Sequence, residues 1–114
     1  MTPAEVRSLL SRGHEAAAHS LRHQGVYEPS EKLWLEDLRA DYALMKEAFG
    51  IERPSYIYPF GKERRPEVHA KVRKTGFACA ATSEWGTNKV AADPFALRRI
   101  GIGSGARVPL ATIY

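Results

Sequence analysis

Between residues 30 and 61 the chain changes hydrophobic period abruptly, and that change limits its architecture more than any other feature. Ser30 stands as a cap before a long amphipathic stretch in which Leu35, Leu38, Tyr42, Met45 and Phe49 recur at spacings of three and four, closed by Gly50. Ser55-Tyr56-Ile57-Tyr58 then reads as a strand of aromatic and β-branched residues, stopped by Pro59-Phe60-Gly61. The alternation extends in both directions. Thr2-Pro3-Ala4-Glu5 is a capping box with proline at the first helical position, opening a short helix that turns Val6, Leu9 and Leu10 inward and ends at Gly13. A third helix is expected from Pro66 to Lys74 on Val68 and Val72, with Gly76 as its C-cap, followed by strands at Phe77-Ala78-Cys79-Ala80-Ala81 and from Leu97 to Ile102. The segment from His14 to His19 is short and small-sided. Alanine propensity favours a helix there, and its place between Gly13 and the Gly25 turn fits a buried strand equally well. Alternating helices and strands imply right-handed crossovers and a parallel sheet, so the fold class is α/β. A parallel sheet is normally covered on both faces, so short strands with three helices make a thin, open one. The chain also starts on a helix where such domains more often start on a strand, which points to a missing front strand.

Composition narrows the class further. A length of 114 residues fits one domain and excludes a complete (β/α) barrel, which takes about 250. Hydrophobic residues at 44% and charged residues at 26% exclude collagen, a disordered tail and a disulfide-stapled toxin. Cys79 is the single cysteine, so it has no internal disulfide partner, and within an apolar strand it reads as unreactive. No apolar run reaches the roughly 18 residues of a spanning helix, and Glu5 and Arg7 interrupt any signal-peptide core; the sequence names no compartment, and is cytoplasmic only as given. The formal charge of +4 is concentrated between Gly61 and Gly76, where Lys62, Arg64, Arg65, Lys71, Arg73 and Lys74 face Glu63 and Glu67. A basic stripe can bind nucleic acid, but no RNA-binding or zinc-finger motif accompanies it. A solvated helix whose basic last turn suits the macrodipole explains the same residues.

His19-Ser20-Leu21-Arg22-His23 is the sharpest local feature. Two histidines at i and i+4 would project from one side of a helical turn, close enough to hold one ion. Zinc suits imidazole best, with iron, cobalt and nickel as alternatives. The pair follows a candidate strand and so falls at a strand's C-terminal end, where α/β sites gather. A catalytic site needs a third protein ligand and an open position for water. His14 would lie on the opposite face, roughly 16 Å back along a strand, and reads as structural. His69 falls mid-helix among charges and reads as solvated. Tyr58-Pro59-Phe60-Gly61 is the second feature: a strand breaking at Pro-x-Gly can leave backbone N–H groups free to stabilise an oxyanion, or can simply be a turn.

Taken in order, these pieces resemble the polysaccharide deacetylase family, the NodB-homology or carbohydrate esterase family 4 domain. Met1 to Val6 and Gly13 to His23 are similar to its helix, strand and His-Ser/Thr-x-x-His metal motif. Tyr56-Ile57-Tyr58-Pro59-Phe60-Gly61 is similar to the substrate-groove motif of a branch that reads Tyr-Pro-x-Gly. Val72 to Phe77 followed by Ala80-Ala81-Thr82, and Pro94 to Ile100, resemble that branch's later strands. The resemblance implies a partial distorted (β/α) barrel over residues 1–102, with parallel strands and flanking helices, and a C-terminal tail at 103–114. It implies a metal-dependent hydrolase that removes acetyl groups from a carbohydrate polymer. His19 and His23 would be metal ligands, most simply for Zn2+ and weakly on their own. The Phe60 backbone N–H would serve the oxyanion hole, and Tyr58, Pro59 and Phe60 would bind substrate.

The departures from the family pattern are specific. The Thr-Phe-Asp-Asp strand that supplies the base and third ligand has no counterpart, and Asp37, Asp41 and Asp93 stand in unrelated contexts. Ile57 occupies the place of an arginine, and no histidine follows His69 to act as the late general acid. The resemblance therefore implies the C-terminal part of a deacetylase domain, completed by an N-terminal segment or a second copy. The alternative is a non-catalytic remnant or glycan-binding module of the same fold. Nucleic-acid binding ranks behind both, and no membrane partner is expected.

Overall fold

The computed structural model describes residues 1–102; the expected tail at 103–114 lies outside them. Its elements run α1 (Pro3–Ser11), β1 (Ala17–Ala18), α2 (Glu31–Phe49), β2 (Ser55–Ile57), α3 (Pro66–Thr75), β3 (Cys79–Trp85) and β4 (Leu97–Arg99). The four strands form one sheet in the order β1-β2-β3-β4, every pair parallel. The segment from His14 to His19 thus resolves toward strand: Ala17 and Ala18 pair with Ser55 and Tyr56 despite their helix propensity. Strand pairing outweighs a preference worth only tenths of a kcal/mol, about the scale of single-residue propensities.

Local signals position the helices. Thr2 and Glu5 complete the capping box, with the Glu5 amide donating to the Thr2 hydroxyl at 3.2 Å. Ser30 accepts from the Leu33 amide to start α2, and Gly50 ends it at φ +67°. The helix α1 buries none of its residues fully, so Val6, Leu9 and Leu10 stay partly exposed rather than forming the expected inward face. On α2 the buried stripe is Trp34, Asp37, Leu38, Asp41 and Met45, while Leu35, Tyr42 and Phe49 pack at its margin. The stripe is rotated from the expected one because Trp34 carries the larger apolar surface, and burying such a side chain stabilises by about 1.5–3 kcal/mol or more.

The core lies between α2, α3 and the sheet. Tyr56, Ala80 and Thr82 point into it together with Leu38, Val68, Val72 and Phe77, all at most 1% exposed. Ser55, Ile57, Cys79 and Ala81 alternate to the opposite face and remain half-buried. The sheet therefore has one dry face and one partly open one, which agrees with a partial barrel. The expected strand at Phe77–Ala81 lies two residues later in the structure, because Phe77 plugs the core under Tyr56 and Tyr42 before pairing begins. Parallel pairing sets the C-terminal ends of β1, β2 and β3 along one edge. His19, Tyr58 to Gly61 and Ser83 meet there. No described helix is long and apolar enough to cross a membrane.

Candidate functional site

The segment that follows β1 is not helical, contrary to the expected helical turn. Residues 19–30 form a loop with Ser20 at φ +66°, His23 at φ +50° and Tyr27 at φ +64°. The two imidazoles still come together, with ring centroids 4.9 Å apart and planes at 64°. His19 is fixed from β2: its Nδ1 lies 2.8 Å from the Ile57 carbonyl oxygen. A carbonyl only accepts, so Nδ1 carries the proton and the Nε2 lone pair of the neutral ring is left free.

Two residues that sequence reasoning passed over hold the loop from below. Asp41 accepts from the Ser20 amide at 2.8 Å, and Asp37 accepts from the Ser20 hydroxyl at 2.9 Å and from the Leu21 amide at 3.3 Å. The Gln24 amide in turn donates to the Ser20 hydroxyl oxygen at 3.3 Å. Burial raises the Asp41 carboxyl above its ordinary range, the Ser20 amide draws it back, and the like charge of Asp37 pushes it up again. The Tyr56 phenol beneath is pushed up by burial and by the charges of Asp41 and Asp37. The two acids lie on the flank of the buried Trp34-Leu38-Met45 stripe, and the sequence periodicity, which centres on Leu35 and Tyr42 instead, does not single them out.

The second feature sits beside the first. Phe60 and Gly61 are both left-handed, at φ +59° and φ +65°. A Cβ on Gly61 would lie 2.2 Å from Ser83 Oγ, so only glycine lets β3 pass this close. The Ser83 amide donates to the Gly61 carbonyl at 2.7 Å, and the Tyr58 amide to that of Ala81 at 3.1 Å. Tyr58 is 1% exposed and its hydroxyl donates to the Phe95 carbonyl at 2.8 Å. Tyr58 and Pro59 are thus largely buried; Tyr58 shapes the turn, and Pro59 keeps an edge on the depression beside Phe60. Phe60 is the opposite: its ring is 74% exposed and stacks edge-on against His23 at 5.0 Å. The Phe60 amide donates to no acceptor among the described residues. Next to it, Gly25, Glu28, Pro59, Lys62 and Arg65 line a depression of about 210 Å3. A larger cavity of about 500 Å3 lies at the β3–β4 connection around Asn88 and Arg98, and neither histidine lines it.

The remaining candidates fall elsewhere. His69 is buried rather than solvated: Nε2–H donates to the Glu63 carbonyl at 3.0 Å and Nδ1 lies 4.0 Å from Asp93 Oδ2. His14 is exposed before β1. Cys79 is half-buried and donates to Ser55 Oγ at 3.3 Å. Much of the basic stripe is paired, Arg64 with Glu84, Arg65 with Glu63, Lys71 with Glu31 and Arg73 with Asp93. Arg65 and Lys71 also cover the Tyr27 ring. Such pairing suits a self-neutralised surface better than a phosphate-binding one. No group of three His, Cys, Asp or Glu side chains stands within metal-binding range among the described residues. His19, with one ring nitrogen anchored on a carbonyl and the other free, has the arrangement typical of an imidazole ligand, and the His23 ring stands beside it.

The family model for polysaccharide deacetylase matches residues 1–80. The chain belongs to the polysaccharide deacetylase family. Solved structures agree on the fold. The Streptococcus pyogenes deacetylase PplD, solved with acetate, superposes with a TM-score of 0.80 at 15% identity, over 90% of this chain and 45% of that one. The BpsB deacetylase domain of Bordetella bronchiseptica gives 0.73 at 20% identity, over 88% and 48%. A polysaccharide deacetylase from Bacillus cereus gives 0.70 at 17%, over 88% and 32%. The chain therefore spans less than half the length of these deacetylase structures. No curated protein matches it by sequence. Polysaccharide deacetylases generally use a divalent metal and act on carbohydrate polymers.

Proposed function

We propose that the chain contributes the imidazole side of a metal-dependent deacetylase site that removes acetyl groups from a carbohydrate polymer. The observation that carries this reading is the meeting of His19, His23 and Phe60 at the C-terminal edge of the sheet in a member of this family. His19, through its free Nε2, and His23 would hold the ion, with zinc as the simplest choice. When bound, such an ion polarises an acetyl carbonyl and activates a water. The Phe60 amide is the donor this chain offers to a developing oxyanion, and the Gly61 turn fixes that amide against β3. The Phe60 ring and the adjoining depression offer a sugar ring an apolar face beside polar groups.

Neither Asp37 nor Asp41 suits the role of general base, since both are buried and engaged on the loop backbone. We place the base and the third ligand on a strand outside this sequence, as the resemblance implies, within one domain that covers residues 1–102. Sequencing the reading frame upstream of Met1 and expressing the extended chain tests this. An upstream strand ending in Asp-Asp, acetate release from an acetylated chitin oligomer by the extended chain, and its loss in His19→Ala are expected. An extended chain that carries the Asp-Asp strand and releases no acetate contradicts the proposal. The exposed Phe60 ring also favours a second reading, a glycan-binding remnant, in which Phe60→Ala abolishes oligomer binding and no extension restores hydrolysis.

A further inference from the structure

We infer that Asp37 and Asp41 are positioning residues that set the His19–His23 geometry by clamping Ser20, an inference resting on the reading that these histidines hold a metal. Ser20 is the pivot of the loop. It directly follows His19, precedes His23 by three residues, and sits at φ +66°, a conformation that L residues seldom adopt. Something outside the loop must hold it there. The amide is taken by Asp41 at 2.8 Å and the hydroxyl by Asp37 at 2.9 Å, so the residue is gripped at backbone and side chain from one helix face. Asp37 reaches on to the Leu21 amide, and the same Ser20 hydroxyl receives the Gln24 amide just past His23. The clamp therefore spans the whole interval between the two imidazoles, while Ile57 fixes the His19 ring from the sheet.

Packing alone does not account for these residues. Both carboxylates are more than nine-tenths buried, four residues apart on one helix face, and like charges so placed destabilise a helix. Apolar residues there would extend the Trp34-Leu38-Met45 stripe without that cost. What the carboxylates supply instead is charge-assisted acceptors for backbone N–H groups of the loop, which are stronger than neutral ones. Two negative groups beneath the imidazoles also favour a cation above them.

Co2+ affinity of the full chain, measured by absorption at a temperature where circular dichroism shows every variant folded, tests the clamp. Asp41→Ala is expected to lose about tenfold in affinity, the scale of losing an outer partner of a metal ligand. Asp41→Asn keeps an oxygen acceptor for Ser20 and is expected to recover most of that loss. Leu38→Ala destabilises the same helix without touching Ser20 and is expected to bind Co2+ as the parent does. If Asp41→Ala does not fold, Ser20→Ala carries the same test from the loop side and is expected to weaken binding. Parental affinity in the Asp41 and Ser20 variants, with loss in His19→Ala, overturns the clamp alone. Equal loss in Leu38→Ala also overturns it, since the role would then be merely structural. Parental affinity in His19→Ala and His23→Ala overturns the site reading on which it rests.

Discussion

Gly61 carries the turn beneath Phe60. Its positive φ and the 2.2 Å that would separate a Cβ from Ser83 Oγ make any side chain costly. Gly61→Ala should destabilise the chain by about 1–3 kcal/mol, from strain and overpacking together. Urea unfolding reads this directly, and adding Ser83→Gly should recover part of the loss. Glu63 makes a pH-dependent contribution. Burial pushes its carboxyl up, but hydrogen bonds from the Arg65 side chain and amide outweigh burial and hold it below its ordinary 4.5. A carboxyl lowered on folding stabilises above its unfolded pKa, and that stability fades as pH falls through the folded value. Urea midpoints of parent and Glu63→Gln should therefore differ at neutral pH, and the difference should shrink as pH falls below the ordinary 4.5. Pro-x-Gly was readable in the sequence as a break. The steric reason for the glycine was not, because Ser83 lies more than twenty residues away. The burial of His69 is illegible in the sequence for a similar reason: its partners Glu63 and Asp93 reach it from a loop before α3 and a loop after β3.

At the scale of elements, α2 joins the core to the site. Its outer end is ordinary helix chemistry, and Ser30→Ala should cost about 1 kcal/mol through the lost cap. Leu38 is fully buried at its centre, and Leu38→Ala should cost about 2–5 kcal/mol as transfer and cavity terms add. Thermal unfolding of the two variants should rank them in that order. Helix existence, caps and ends were legible for α1, α2 and α3 because those signals are local. The rotation of the α2 stripe was not, since periodicity alone does not weigh Trp34 against Leu35. The strand β1 was open because two alanines carry helix propensity and only the pairing with Ser55 and Tyr56 decides the matter. The loop after β1 shows the limit most clearly. The i, i+4 histidine spacing was visible, yet the rings meet through a left-handed loop held by α2 rather than through a helical turn.

For the whole molecule, parallel order places the ends of β1, β2 and β3 on one edge, and that edge collects the imidazole pair, the Phe60 amide and the exposed Phe60 ring. Motif order along the sequence was enough to recognise the family, because each motif marks a strand end and a parallel sheet brings strand ends together. The partners of Ser20 were not legible, since tertiary packing alone brings α2 under the loop. Zinc titration against a chromophoric chelator tests whether His19 and His23 act as a metal-binding pair. One zinc ion is expected to bind weakly per chain, with His19→Ala and His23→Ala each reducing affinity further. Tight binding that neither substitution changes would contradict it.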